Sequence, residues 1–121
     1  MPRPRAYVAD DDPDTRHVLL QVLRALGYDP SAFEDGLDLA RAVGLTPPAV
    51  VVLDQHMLHW DGTDAVGHIR MHGEDCPAVF VTAFPDGALR RRAADLGRCE
   101  VLAKPVDVGA LQKSIERLIR G

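Results

Sequence analysis

The sequence predicts an α/β domain with the pattern (βα) five times, a parallel sheet carrying helices on both faces. Three observations carry that prediction. Short apolar runs recur along the chain, each followed by a segment with helical spacing. The run Ala49–Leu53 has no polar alternation, which marks a central strand buried on both faces. Four of the runs end in chemically active residues: Asp10-Asp11, Asp54, Thr82 and Lys104. In a parallel sheet these ends lie along one edge, where open α/β sheets place their ligand sites.

The elements follow in order. Arg5–Asp10 reads as the first strand. Asp12-Pro13 opens a helix with an N-cap carboxylate and a proline at the first helical position. Val18, Leu19, Val22, Leu23 and Leu26 give that helix one apolar face, and Gly27 stops it. Tyr28–Phe33 is a weaker strand. Pro30 lacks a ladder donor and places this strand at the sheet edge. Gly36–Val43 is a short helix, broken by Gly44 and Pro47-Pro48. The central strand Ala49–Leu53 comes next. Asp61-Gly62 then opens a helix that runs to about Met71. Ala78–Thr82 is the fourth strand and Asp86–Leu96 the fourth helix, closed by Gly97. Val101–Ala103 is a short fifth strand. Asp107 caps a last helix on which Val108, Leu111, Ile115 and Leu118 share a face.

Length and composition agree with one domain over residues 1–121, residues 1–4 being a short disordered lead. No attached output domain is expected in this chain. A chain of 121 residues buries roughly two thirds of its unfolded surface and needs no staple. The formal charge is −4 with no basic tract, so direct nucleic-acid binding by this domain is not expected. No apolar run approaches a membrane span, and no signal-type stretch follows Met1-Pro2-Arg3-Pro4-Arg5. A cytoplasmic location is expected by default. Cys76 and Cys99 lack a paired Cys-x-x-Cys spacing and read as a reduced pair of small apolar residues.

The site residues gain meaning from one another. An isolated Asp10-Asp11 pair would merely start a helix. Adding Asp54 within a few Å costs several kcal/mol of repulsion unless a cation sits among them. Lys104 supplies one positive charge, and Mg²⁺ suits the excess that is left. That ion takes oxygen ligands, keeps several waters and accepts one or two carboxylates plus a phosphate. Carboxylates such as Asp54 attack phosphorus to give acyl phosphates. The developing charge then needs a metal, an ammonium and a hydroxyl donor, which Lys104 and Thr82 supply in part. Pro105 fixes the turn that aims Lys104.

These landmarks resemble the receiver domain of two-component response regulators, and the resemblance covers essentially the whole chain. An acidic pair follows the first strand, Asp54 the third, Thr82 the fourth and Lys104-Pro105 the fifth. The separations of 43, 28 and 22 residues from Asp11 to Asp54, Thr82 and Lys104 in turn are similar to that family's. Asp54-Gln55-His56-Met57-Leu58-His59-Trp60-Asp61-Gly62 is similar to its Asp-x-x-Met-Pro-x-x-Asp-Gly pattern.

The resemblance implies a flavodoxin-like strand order 2-1-3-4-5. It also implies a switch in which a histidine kinase or phosphorelay protein phosphorylates Asp54 in a Mg²⁺-dependent reaction. Asp11, Asp54 and the backbone carbonyl of His56 would hold the metal, Asp10 assisting through water. Thr82 would be drawn inward, and the fourth helix, fifth strand and fifth helix would repack. That face would then bind a downstream protein, a fused output domain or a second copy. The domain would catalyse its own phosphorylation and a slow dephosphorylation.

The chain departs from the pattern twice. Leu58 replaces the usual Pro, so the loop after Asp54 is expected to be more mobile. Val101 replaces the usual Tyr or Phe three residues before Lys104, which removes the ring that normally couples to the Thr. The competing reading is therefore a pseudo-receiver: a constitutive interaction module with an intact but uncoupled site. A phosphate-ester hydrolase using Asp54 is argued against by His56, since dehalogenase-type phosphatases carry a second Asp at that position. A Rossmann-type nucleotide module is excluded, because no Gly-x-Gly-x-x-Gly follows the first strand. His56, His59, His68 and His72 read as surface histidines rather than zinc ligands, Arg90-Arg91-Arg92 as a solvated helix face, and Trp60 as a packing residue.

Overall fold

The structure is a computed structural model and describes residues 2–121. Five strands and five helices alternate as expected: β1 (Arg5–Ala9), α1 (Pro13–Ala25), β2 (Asp29–Phe33), α2 (Gly36–Leu45), β3 (Val50–Leu53), α3 (Gly62–Met71), β4 (Ala78–Thr82), α4 (Gly87–Leu96), β5 (Cys99–Ala103) and α5 (Val108–Arg120). The strands form one parallel sheet in the order β2-β1-β3-β4-β5. The crossover pattern puts β2, with its Pro30, at one edge and β5 at the other.

Strand alternation divides the core in two. Tyr7, Ala9, Val51, Leu53, Ala78, Phe80 and Val101 face one way and pack with Leu39 and Val43 of α2, Val66 and Ile69 of α3, and Leu89 and Ala93 of α4. Ala6, Val8, Val50, Val52, Val79 and Val81 face the other way, against Leu19 and Leu23 of α1 and Leu111, Ile115 and Leu118 of α5. The unbroken apolar run of β3 is thus used twice, once per face, and all four of its residues are buried. Burial on this scale, at roughly 25 cal/mol per Å² of apolar surface, is what holds the strand ends in register.

Each helix starts on an aspartate. Asp12, Asp35, Asp61, Asp86 and Asp107 are the N-caps, and each side chain accepts a backbone N–H from the first turn. At α3 the cap is reciprocal, because Asp64 Oδ2 accepts from the Asp61 N–H. Gly27 and Gly97 leave their helices at φ 99° and 77°, where a side chain would be strained.

Several boundaries and faces differ from the sequence reading. β1 ends at Ala9, and Asp10 lies just beyond it. α2 continues through Gly44 to Leu45, since one glycine costs only about 1 kcal/mol and the prolines beyond set the stop. β5 begins two residues early, at Cys99. Glu100 hid that extension, because an edge strand can carry a carboxylate that reaches sideways to Ser114 Oγ and Arg117 on α5. Val108 is 46% exposed, so the buried face of α5 starts at Leu111.

The lead expected over residues 1–4 includes Met1, which lies outside the described residues. The Pro4 carbonyl accepts the Asp29 N–H at 2.8 Å. Both cysteines are free thiols, Cys76 buried and Cys99 partly so. No helix among the described residues is long and apolar enough to cross a membrane.

Candidate phosphoacceptor site

The parallel sheet delivers its carboxyl ends to one edge through backbone register. Ala9 pairs with Leu53, and Thr82 with Ala103, so the next residues emerge side by side. The Asp54 N–H donates to the Ala9 carbonyl at 3.0 Å, and the Lys104 N–H to the Thr82 carbonyl at 2.8 Å. These two bonds place the residue that leaves each strand.

Asp10 is fully buried and Asp54 nearly so, whereas Asp11 is exposed. One oxygen from each of the three lies within 4.8 Å of the others. The Lys104 ammonium closes the cluster. Its Nζ donates to Asp10 Oδ2 at 3.0 Å and to Asp54 Oδ2 at 3.1 Å. The remaining oxygens are also engaged: Asp10 Oδ1 accepts the Asp12 N–H at 2.9 Å, and Asp54 Oδ1 accepts the His56 N–H at 3.2 Å. Arg16 donates to the Asp10 carbonyl at 2.8 Å, which ties α1 to the acidic turn.

The electrostatics match this crowding. Burial pushes the Asp10 carboxyl up from its ordinary value, and bonds from the Asp12 N–H and Lys104 offset only part of that. Burial pulls the Lys104 ammonium down, but its bonds to Asp10 and Asp54 and their charges outweigh it, so the net shift is upward. Lys104 therefore stays charged, and three carboxylates face one ammonium. The Lys104 side chain is only 23% exposed. The hard oxygen donors and residual negative charge fit a Mg²⁺ ion, with the exposed Asp11 on the solvent side.

Thr82 is fully buried at the end of β4, and its Oγ1 accepts the Phe84 N–H at 3.2 Å. His56 follows Asp54 on an exposed turn, its ring edge-on to Phe84 with centroids 6.3 Å apart. All six sequence-predicted residues thus lie at the strand ends or on the turns beside them.

Two neighbours escaped the sequence reading. Gln55 is a buried amide whose Oε1 accepts the Thr63 N–H at 2.9 Å and whose Nε2 donates to Thr63 Oγ1 at 3.1 Å. It fastens the turn after Asp54 to α3. Gly62 packs so closely that a Cβ there would sit 2.7 Å from the Asp54 carbonyl oxygen. The sequence signals were a polar residue directly after the nucleophile candidate and a glycine directly after a cap.

A family model described as the response regulator receiver domain matches residues 6–116. The chain belongs to that family.

The receiver is 30% identical over 113 residues to the tetrathionate response regulatory protein TtrR of Salmonella typhimurium, covering 93% of this chain and 55% of the relative. It is also 30% identical over 116 residues to the response regulator MprA of a Mycobacterium species, covering 96% of this chain and 50% of that one. The receiver spans about half the length of these curated relatives. Its fold matches the crystallised chemotaxis protein CheY4 of Vibrio cholerae with a TM-score of 0.88 at 20% identity, over 96% of this chain and 98% of that one. The membership fits phosphorylation-dependent signalling and does not favour the pseudo-receiver reading.

The two departures also have structural expression. Leu58 is 81% exposed on the β3–α3 turn. Val101 is buried, and an open groove of about 240 Å³ lies beside it between α4 and β5, lined by Arg90, Ala93, Ala94, Cys99 and Glu100. No aromatic ring is among the residues that line it.

Other features stay outside the site. Arg90, Arg91 and Arg92 are exposed, and Arg92 reaches Asp61 and Asp64 of α3 at 3.9 and 3.7 Å. His68 of α3 lies between the rings of Trp60 and His72, with centroids 5.1 and 4.2 Å away. Among the described residues, the only clustered group of three or more metal-ligating side chains is Asp10, Asp11 and Asp54.

Proposed function

We propose that Asp54 accepts a phosphoryl group from a phosphohistidine of a histidine kinase or phosphotransfer protein. The observation that carries this reading is the Lys104 ammonium shared between Asp10 and Asp54 at 3.0 and 3.1 Å. A carboxylate held beside a fixed cation is aimed at a substrate that brings further negative charge. An Asp54 oxygen attacks phosphorus, a P–O bond forms, and the P–N bond of the donor breaks with the imidazole as leaving group. Lys104 remains on the product, pairing with the phosphoryl oxygens. The Thr82 hydroxyl donates a hydrogen bond to another of them.

Asp10, Asp11, Asp54 and the His56 carbonyl would hold Mg²⁺, Asp10 through water. The ion supplies charge neutralisation to the transferring group. The domain's own residues make the acyl phosphate and slowly hydrolyse it. The phosphorylated form then changes the α4-β5-α5 face and its affinity for a downstream protein, an output domain or a second copy. The reading places this activity in the cytoplasm, with no nucleic acid bound by this domain.

The test is labelling with acetyl phosphate and Mg²⁺. Mass spectrometry should show one added phosphoryl group, removed by hydroxylamine, and no label in Asp54→Asn. Wild-type labelling of Asp54→Asn would move the acceptor to another carboxylate.

A further inference from the structure

His68 and His72 are both exposed at the C-terminal end of α3, with ring centroids 4.2 Å apart. Residues four apart on a helix share a face, so the spacing itself brings two imidazoles together. Each ring is also held by a second neighbour. His68 meets Trp60, with centroids 5.1 Å apart. His72 is the C-cap of α3, and its Nδ1 lies 2.9 Å from the His68 carbonyl oxygen. A carbonyl oxygen only accepts, so Nδ1 carries the proton and donates it. The lone pair of the neutral ring is then on Nε2. Metal-binding imidazoles are held in the same way, with the other ring nitrogen tied to a carbonyl or carboxylate.

The surroundings favour a cation. The carbonyls of the last turn of α3 are the negative end of its dipole. A hollow of about 310 Å³ between α2 and α3 is lined by both histidines, Arg41 and Glu74. Glu74 brings a carboxylate to it, whereas the Arg41 guanidinium is paired with Asp38 at 3.9 Å.

We propose that His68 and His72 chelate one divalent transition-metal ion of the nickel, copper or zinc class, with water in its remaining positions. Ions of that class take imidazole nitrogen, whereas Mg²⁺ prefers oxygen. Metal–imidazole bonds of about 2.0–2.1 Å put two nitrogens on one ion about 3 Å apart. Rotation of exposed side chains brings rings already 4.2 Å apart to that spacing. Once the first bond has formed the second is intramolecular, which raises the affinity above that of a lone surface histidine. Two protein ligands are too few for a closed zinc centre, so the ion exchanges with solvent. The site is distinct from the carboxylate cluster. α3 starts at its cap Asp61 on the turn after Asp54, and His72 lies about 15 Å further along by helical rise.

The test titrates the whole chain with Ni²⁺, with Mg²⁺ in excess, and follows the emission of Trp60, the only tryptophan. Ni²⁺ held by His68 should quench the indole beside it, saturating at one ion per chain, and excess Zn²⁺ should restore the emission. Isothermal titration gives the affinity, because His68→Ala also alters the Trp60 baseline. His68→Ala and His72→Ala should each weaken Ni²⁺ binding about tenfold or more, since either loss removes the chelate. His59→Ala, beside Trp60 in sequence, should bind as the wild type does. Unsaturable quenching, wild-type affinity in either of the first two variants, or loss of binding in His59→Ala would overturn the site.

Discussion

The Lys104 ammonium lies 3.1 Å from Oδ2 of Asp54, a residue fifty positions earlier in the chain. β4 lies between their strands in the sheet, so the contact spans two ladder spacings and forms only once β3, β4 and β5 are in register. The same ammonium holds the fully buried Asp10, and this pairing sets how the site responds to perturbation.

Mg²⁺ should stabilise the fold with no phosphate present. The cause is the mutual repulsion of Asp10, Asp11 and Asp54, whose oxygens lie within 4.8 Å of one another. At free Mg²⁺ ten times the dissociation constant, linkage gives about 1.4 kcal/mol. Thermal melts at constant ionic strength check it. An equal shift in Asp11→Ala would rule out this cluster as the binding site.

Lys104→Ala should remain folded but lose about 1–3 kcal/mol, because a buried carboxylate is left without its charged donor. Mg²⁺ should recover part of that loss, since it neutralises the same oxygens. Phosphorylation, or the response to it, should fall sharply. Urea midpoints with EDTA and with Mg²⁺ read the first effect, and acetyl phosphate labelling the second. Wild-type stability in EDTA would mean that Asp10 does not depend on the ammonium.

Gly62→Ala should disturb the acceptor from the far side of its turn. The new Cβ would lie 2.7 Å from the Asp54 carbonyl oxygen and 3.0 Å from both Gln55 Oε1 and Phe80 Cδ1. Backbone and a core ring have little room to yield, so a cost of about 1–3 kcal/mol is expected. The turn carrying Asp54 and His56 should shift with it. Lower thermal stability together with weaker Mg²⁺ binding is the expected pair of results. A variant unchanged in both would show that the turn is slack.

Val101→Tyr should be tolerated, because the groove of about 240 Å³ beside Val101 opens to solvent between α4 and β5. Its stability should stay near the wild-type value instead of falling by the roughly 1–3 kcal/mol of an overpacked core. A ring restored at the position where the pattern carries Tyr or Phe should increase the response of α4 to beryllofluoride. Amide NMR of Leu89 and Ala93 decides it, and an unchanged response in Val101→Tyr would show that a β5 ring is not what the coupling lacks.

The sequence by itself determined the (βα) alternation, the central place of β3 and the residues at the strand ends. Those features are local. A strand buried on both faces needs a continuous apolar run, as in Val50–Leu53, and a helix start needs a cap, as in Asp12-Pro13. The spacing of Asp54, Thr82 and Lys104 then follows from counting strands.

Only the tertiary structure decided what surrounds those residues. Glu100 belongs to β5 because α5 brings Ser114 and Arg117 to it. Lys104 is half-enclosed because Asp10 and Asp54 converge on it. Gln55 is a clasp because the first turn of α3 folds back onto it. The groove beside Val101 exists because α4 and β5 meet there with Ala93, Ala94 and Val101 rather than with a ring. Each of these depends on contacts between residues far apart in the chain. Local pattern has no term for such contacts, because burial and pairing are set by what the fold brings alongside.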